Sequence, residues 1–181
     1  MEFVWVPAGE FQMGPNSNEA YNAEEPVHRV ALDGFWMGKY EVTQGLWKQL
    51  MSKNPALFKS RDNYPVEKVS WDDTQEFISR LNSRTGQRFR LPTEAEWEYA
   101  CRAGMTRDRY GNLYDIAWYD GNSGNKIHPI GQKKANALGL YDMLGNVFEW
   151  CQNWYGSYSS GDVRNPSGPS SGSFRVLRGG S

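Results

Sequence analysis

The sequence predicts a mixed α+β domain in which short strands and a few short helices are carried on long loops. Three observations point there. Apolar and polar residues alternate only in brief runs near the two ends of the 181-residue chain, the period of half-buried strands. In the middle, Thr43, Ser70 and Thr93 each stand at capping distance ahead of a stretch with helical apolar spacing. The 19 glycines and 9 prolines break much of the rest into turns.

Taken in order, Val4-Trp5-Val6-Pro7 and Phe11-Gln12-Met13-Gly14 read as two strands around a turn at Ala8-Gly9-Glu10. The polar stretch from Pro15 to Pro26 reads as a loop. Val27 to Leu32 alternates as a strand, and Phe35 to Lys39 follows a tight Asp33-Gly34 turn, a dipeptide favoured in two-residue hairpin loops. Thr43 can cap a helix whose apolar positions are Leu46, Trp47, Leu50 and Met51. Ser70 with Asp73 approximates a capping box for a helix presenting Trp71, Thr74, Phe77, Ile78 and Leu81, with Gly86 just past its end. Thr93 with Glu96 completes the S/T-x-x-E box; its helix turns Trp97, Ala100 and Cys101 inward, and Gly104 stops it.

Beyond Gly104 the pattern dissolves. Residues 105–146 favour turns, and so long an irregular stretch inside a compact domain needs either a function or something to hold it. Val147-Phe148-Glu149-Trp150-Cys151 then reads as a buried strand, Ser157 to Ser173 as a mobile surface segment, and Phe174 to Arg178 as the last strand. No internal repeat or second domain is visible, so residues 1–181 read as one domain.

Composition narrows the function. Twenty Lys and Arg against 21 Asp and Glu leave a net charge of -1, which gives no reason to expect nucleic acid or an anionic membrane as the main partner. No apolar stretch approaches the roughly 20 residues of a membrane span, and the start carries no signal-peptide pattern, so the chain as given reads as cytoplasmic, or exported with its leader already removed. Cys101 and Cys151 do not form a disulfide framework or a zinc clip and read as buried thiols. His28 and His128 are the only histidines, one on a strand and one in a Pro-containing loop, and both read as structural.

The best candidate for a site is the segment from Asp142 to Glu149. Two carboxylates seven positions apart, with a glycine turn between, can wrap a hard cation that seeks six to eight oxygens. The same residues also allow a plainer reading, in which Asp142 caps a turn and Glu149 pairs with an arginine. The oxygen-rich run Asp120, Asn122 and Asn125 reads as turn formers rather than as a second site.

Several blocks, in order and from end to end, resemble the formylglycine-generating-enzyme/sulfatase-modifying-factor family. They are Trp5 to Gly14, Tyr40-Glu41-Val42-Thr43-Gln44, Tyr64-Pro65-Val66 with Val69-Ser70-Trp71, Arg90 to Ala100, Gly139 to Trp150, and Arg175-Val176-Leu177-Arg178-Gly179-Gly180-Ser181. The resemblance implies a C-type-lectin-like FGE-sulfatase fold with small antiparallel sheets, about three short helices and long ordered loops. It also implies a structural calcium held by side-chain oxygens at Asp142 and Glu149 and by the carbonyls of Gly145 and Val147. In the family's oxidases two copper-binding cysteines would follow Arg178-Gly179-Gly180-Ser181; Cys101 and Cys151 fall in the helix and strand blocks instead. The resemblance therefore implies no copper site and no catalytic residue in this chain, with the C-terminal part of the family domain missing.

The short loop at Trp118 to Asn125 and the run Asn153-Trp154-Tyr155-Gly156 are most similar to bacterial short-loop members, including the variable proteins of diversity-generating retroelements. That likeness implies a non-catalytic domain binding a protein or small ligand through its C-terminal surface. The alternative it leaves open is a formylglycine-type copper oxidase seen without its catalytic segment.

Overall fold

The structure is a computed structural model that describes residues 1–15, 25–59, 61–107 and 109–180. Its N-terminal part is built from β1 (Phe3–Val6), β2 (Gly9–Met13), β3 (His28–Leu32) and β4 (Phe35–Gly38). The expected strands form, but neither expected turn closes a hairpin. β1 pairs antiparallel with β4 and β2 with β3, in a single register that runs from Phe3 opposite Gly38 to Met13 opposite His28. Pro7-Ala8 and Asp33-Gly34 are therefore bends in two long strands. The Asp33-Gly34 signal is overridden because each flanking strand already has its partner elsewhere. Gly34 is needed there for room, since a Cβ would run into the Trp5 ring. Most of the expected Pro15–Pro26 loop lies outside the described residues.

The three helices stand where their caps place them. In α1 (Gln44–Leu50) the Thr43 hydroxyl accepts from the Leu46 amide at 3.2 Å. α2 (Trp71–Thr85) opens on a reciprocal box, in which the Ser70 hydroxyl accepts from Asp73 N at 3.1 Å and Asp73 accepts from Ser70 N at 2.8 Å. It closes on Gly86 in the left-handed region at φ 70°. α3 (Glu94–Arg102) repeats the box with Thr93 and Glu96, and its left-handed cap is Ala103, one residue before the glycine the sequence suggests. Satisfying these otherwise orphaned amides stabilises each helix by about 1 kcal/mol. Trp47 and Phe77 stack at 5.0 Å between α1 and α2, within a core that includes Val66 and Leu81.

The long irregular stretch contains one unexpected turn of helix, α4 (Leu113–Ile116), capped by Asn112. Elsewhere it is held by buried asparagines rather than by repeating structure. Asn136 donates to the carbonyls of Ala100 and Cys101 and accepts from the amides of Leu138 and Leu140, so the loop is fastened to the end of α3. Backbone groups that no helix or sheet satisfies are paired in this way.

β5 (Glu149–Trp154) starts two residues later than the sequence suggests, because the Val147 amide is taken by the Glu41 carboxylate instead of a neighbouring strand. β7 (Arg175–Arg178) pairs antiparallel with β5. Between them, the segment read as mobile is anchored. Its short strand β6 (Val163–Arg164) runs parallel to β3, and Asn165 accepts from the Asp33 amide at 2.9 Å while donating to the Asp33 carboxylate at 2.8 Å. The Ser-Gly-Pro composition describes the segment's backbone freedom but not these long-range bonds. α3 lies against β5 and β7, and Trp97, Ala100, Cys101, Leu140, Met143, Cys151 and Val176 close the main core with Val6 and Met37.

Candidate functional site

The segment Asp142–Glu149 is a tight turn leading into β5. Leu140, fully buried, and Met143 anchor its start in the core. Asp142 and Asn146 both adopt left-handed backbone conformations, at φ 58° and φ 70°, which short polar side chains tolerate. Gly145 is fixed by lack of room, since a side chain there would meet the Trp118 backbone. The Gly145 amide donates to the Asp142 carbonyl at 3.3 Å, and the Gly145 carbonyl accepts from Val147 N at 3.0 Å, leaving it one lone pair to offer. Asp142, Gly145 and Val147 thus lie in the turn, and Glu149 opens β5.

Asp142 is 1% exposed. Its Oδ2 accepts from the Gly131 amide at 2.6 Å, while its Oδ1 is buried with no hydrogen-bond partner among the described residues. An orphaned buried carboxylate oxygen is costly unless something meets it. Burial pushes the Asp142 carboxyl up, against the lowering effect of the Gly131 bond. Glu149 is pushed up to about 7, by burial first and by the Asp142 charge as well, although Trp97 Nε1 donates to it at 3.3 Å. The plainer reading, an arginine on Glu149, is not met: the groups acting on this carboxyl are Trp97 and Asp142.

A third acid, absent from the sequence reading, joins them. Glu41 accepts from Asn146 Nδ2 at 2.8 Å and from the Val147 amide at 3.2 Å, so it clamps the turn from the other side. Burial raises its pKa well above the usual carboxylate range, and the charges of Asp142 and Glu149 raise it further. Among the described residues no three acidic, histidine or cysteine side chains converge closely enough to enclose an ion by themselves. A cation here would have to draw on carbonyl oxygens beside the two carboxylates, which the carbonyl-rich turn allows. The orphaned Asp142 Oδ1 fits such an ion. Asn146 was also missed; it ties the turn to the loop, accepting from His128 N at 2.8 Å and donating to the His128 carbonyl at 3.1 Å.

The other candidates fall out as expected. Cys101 and Cys151 are free and buried, the first pushed up to about 12 and the second well above the ordinary thiol value, chiefly by burial. Neither forms the thiolate that nucleophilic or copper chemistry needs. The His28 ring bonds the Pro26 carbonyl, and His128 stacks on Trp118 at 3.7 Å and bonds the Ser123 carbonyl. Asn122 closes its own turn on Tyr119 N and the Ala117 carbonyl. No helix of the described residues is long and apolar enough to cross a membrane.

The whole of residues 1–181 matches the model of the sulfatase-modifying factor enzyme 1-like domain, FGE-sulfatase. A chaperone protein LppX of Paenibacillus barcinonensis is 31% identical over 209 aligned residues, covering 85% of this chain and 72% of that protein. The formylglycine-generating enzyme of Mus musculus is 27% identical and covers 99% of this chain, which spans 66% of that enzyme's length. Among solved structures, Treponema denticola variable protein 1 superposes with a TM-score of 0.89 at 31% identity, covering 98% of this chain and 82% of that one.

Proposed function

Because the chain belongs to the FGE-sulfatase family, we propose that it serves as a non-catalytic ligand-binding scaffold of the kind found in the variable proteins of diversity-generating retroelements, braced by a structural calcium. The observation that carries the first part is the state of the thiols. Both are sealed in the core and held protonated, so the residues here do not offer the soft thiolate pair of the family's copper oxidases. The likeness to a variable protein at TM-score 0.89 supports the same reading. Ligand contact is assigned to the C-terminal surface, where Tyr155 and Phe174 stand exposed on the flanks of β5 and β7, which pack against α3. The ligand is a protein or small molecule.

The calcium part is supported by the orphaned Asp142 Oδ1. Asp142 and Glu149 would supply side-chain oxygens and Gly145 and Val147 carbonyls, and the ion would cross-brace the turn that leads into β5. It would supply positive charge and rigidity, not redox chemistry.

The non-catalytic reading is tested by adding a cysteine-containing peptide, copper and oxygen to the folded chain. The expected outcome is no oxygen consumption, together with alkylation of Cys101 and Cys151 by iodoacetamide at pH 8 only as fast as the protein opens. Turnover of the peptide, or rapid alkylation without loss of fold, overturns the scaffold reading in favour of the oxidase.

A further inference from the structure

The segment 159–173, between β5 and β7, leaves the body of the protein and returns to it at one neck. Tyr158 holds the outgoing end, its hydroxyl donating to Glu94 at 3.0 Å and accepting from Arg178 at 3.1 Å. The Tyr155 amide closes the neck by donating to the Phe174 carbonyl at 2.8 Å. A stretch whose ends meet in this way is an Ω-loop.

Away from the neck, the bonds of the loop gather on one residue of the N-terminal part. Asn165 accepts from the Asp33 amide and donates to the Asp33 carboxylate, which also takes the Arg164 guanidinium. Beside this clasp the Asn165 amide donates to the Ala31 carbonyl at 2.9 Å, and Asp162 pairs with Arg29 at 3.3 Å. The paired strand between them, β6, is two residues long.

The two ends and the middle are held very differently. The neck is built into the buried Glu94–Arg178 network and the β5–β7 pair. The side chains of both ion pairs in the middle are at least half exposed, so each pair contributes little and weakens in salt. Val163 packs on the core around Val30 and Leu32, but most of the loop is exposed Ser, Gly and Pro. Few apolar contacts and exposed backbone bonds place a segment at the low end of local stability.

We infer that residues 159–173 are a strap that opens and closes over an otherwise native body, latched by the Asp33–Asn165 clasp and released by salt. Opening lifts β6 from β3 and bares the Ala31 carbonyl and the Asp33 amide. The strap is thus a removable cover for a strand edge that would otherwise present unpaired backbone groups. The inference goes beyond the scaffold reading and does not depend on it.

The test is native-state hydrogen exchange on the folded chain, read by NMR at three amides. Asn165 and Asp33 report the clasp, and Trp97, bonded to the Thr93 carbonyl, reports the body. Asn165 and Asp33 should show the same protection within about twofold, at least about a hundredfold below that of Trp97. Both should stay flat up to about 1 M urea, because lifting the strap exposes little surface. Raising sodium chloride from about 0.05 M to about 1 M should lower both protections about fivefold. Arg164→Gln, which removes one ion pair and leaves the Asn165 bonds, should lower them about threefold at low salt and shrink the salt response. Protection at Asn165 that equals that of Trp97 or falls as steeply with urea, unequal protection at Asn165 and Asp33, or indifference to salt overturns the inference.

Discussion

Two groups of carboxylates are buried along α3, and they are treated in opposite ways. On one side Glu98 accepts from Arg102 Nε at 3.0 Å, from Arg178 Nη2 at 2.7 Å and from the Gly14 amide at 3.0 Å, while Glu94 pairs with Arg178 and accepts from the Tyr158 hydroxyl. Each charge there meets an opposite one supplied by the same chain. On the other side Glu41, Asp142 and Glu149 face one another, and no cation appears among the groups that act on them. The first group is complete once the chain has folded and ties β7 to α3. The second has no such pairing among the described residues; burial instead raises all three carboxyls above the ordinary carboxylate range, where the turn leads into β5.

The largest expected effect comes from breaking the balanced group. Glu98→Gln removes the anion that the buried Arg102 shares with Arg178, which keeps Glu94, and should destabilise by about 3 kcal/mol. The melting temperature should then fall on the order of 10 °C. A loss under about 1 kcal/mol would mean the network is screened like a surface pair, and the contrast between the two groups would collapse.

The unbalanced group should answer to metal instead. With calcium at a hundred times its dissociation constant, binding adds about 2.7 kcal/mol, so a chelator should lower the melting temperature by several degrees. Asp142→Asn keeps a side chain that tolerates the left-handed turn and should abolish the chelator response without unfolding the chain. A chelator response that survives this change would move the ion elsewhere, and none in the parent chain would remove it.

The smallest effect is a control between the two groups. Thr93→Ala strips the cap of α3 without altering either set of charges, and should cost about 1 kcal/mol by urea unfolding. It should leave the chelator response intact, so any change in that response would show that α3's position, not the charge balance, governs the ion site.

The helices were legible because their signals are local. Thr43, Ser70 and Thr93 each bond the amide three residues ahead, and no distant partner overrules them. The Asp142–Glu149 turn was legible for a similar reason, with its carboxylates and glycine in one short run. Strand partners were not: Asp33-Gly34 carries a hairpin signal, yet β3 and β4 each pair with a strand from before it. Glu41 was hidden more deeply, since its partners Asn146 and Val147 lie more than a hundred positions away and nothing in Tyr40-Glu41-Val42 marks a buried acid.

By itself, then, the sequence determined the mixed α+β class, the three capped helices, the family resemblance and the turn that could hold a cation, because short-range hydrogen bonds and ordered blocks survive in a linear reading. Tertiary structure alone decided that the Ser-Gly-Pro segment is anchored through Asn165 and that Glu41 clamps the Asp142–Glu149 turn through Asn146 and the Val147 amide. Those outcomes depend on which groups meet across the fold, and a buried carboxyl acquires its energetic meaning only from what lies beside it in space.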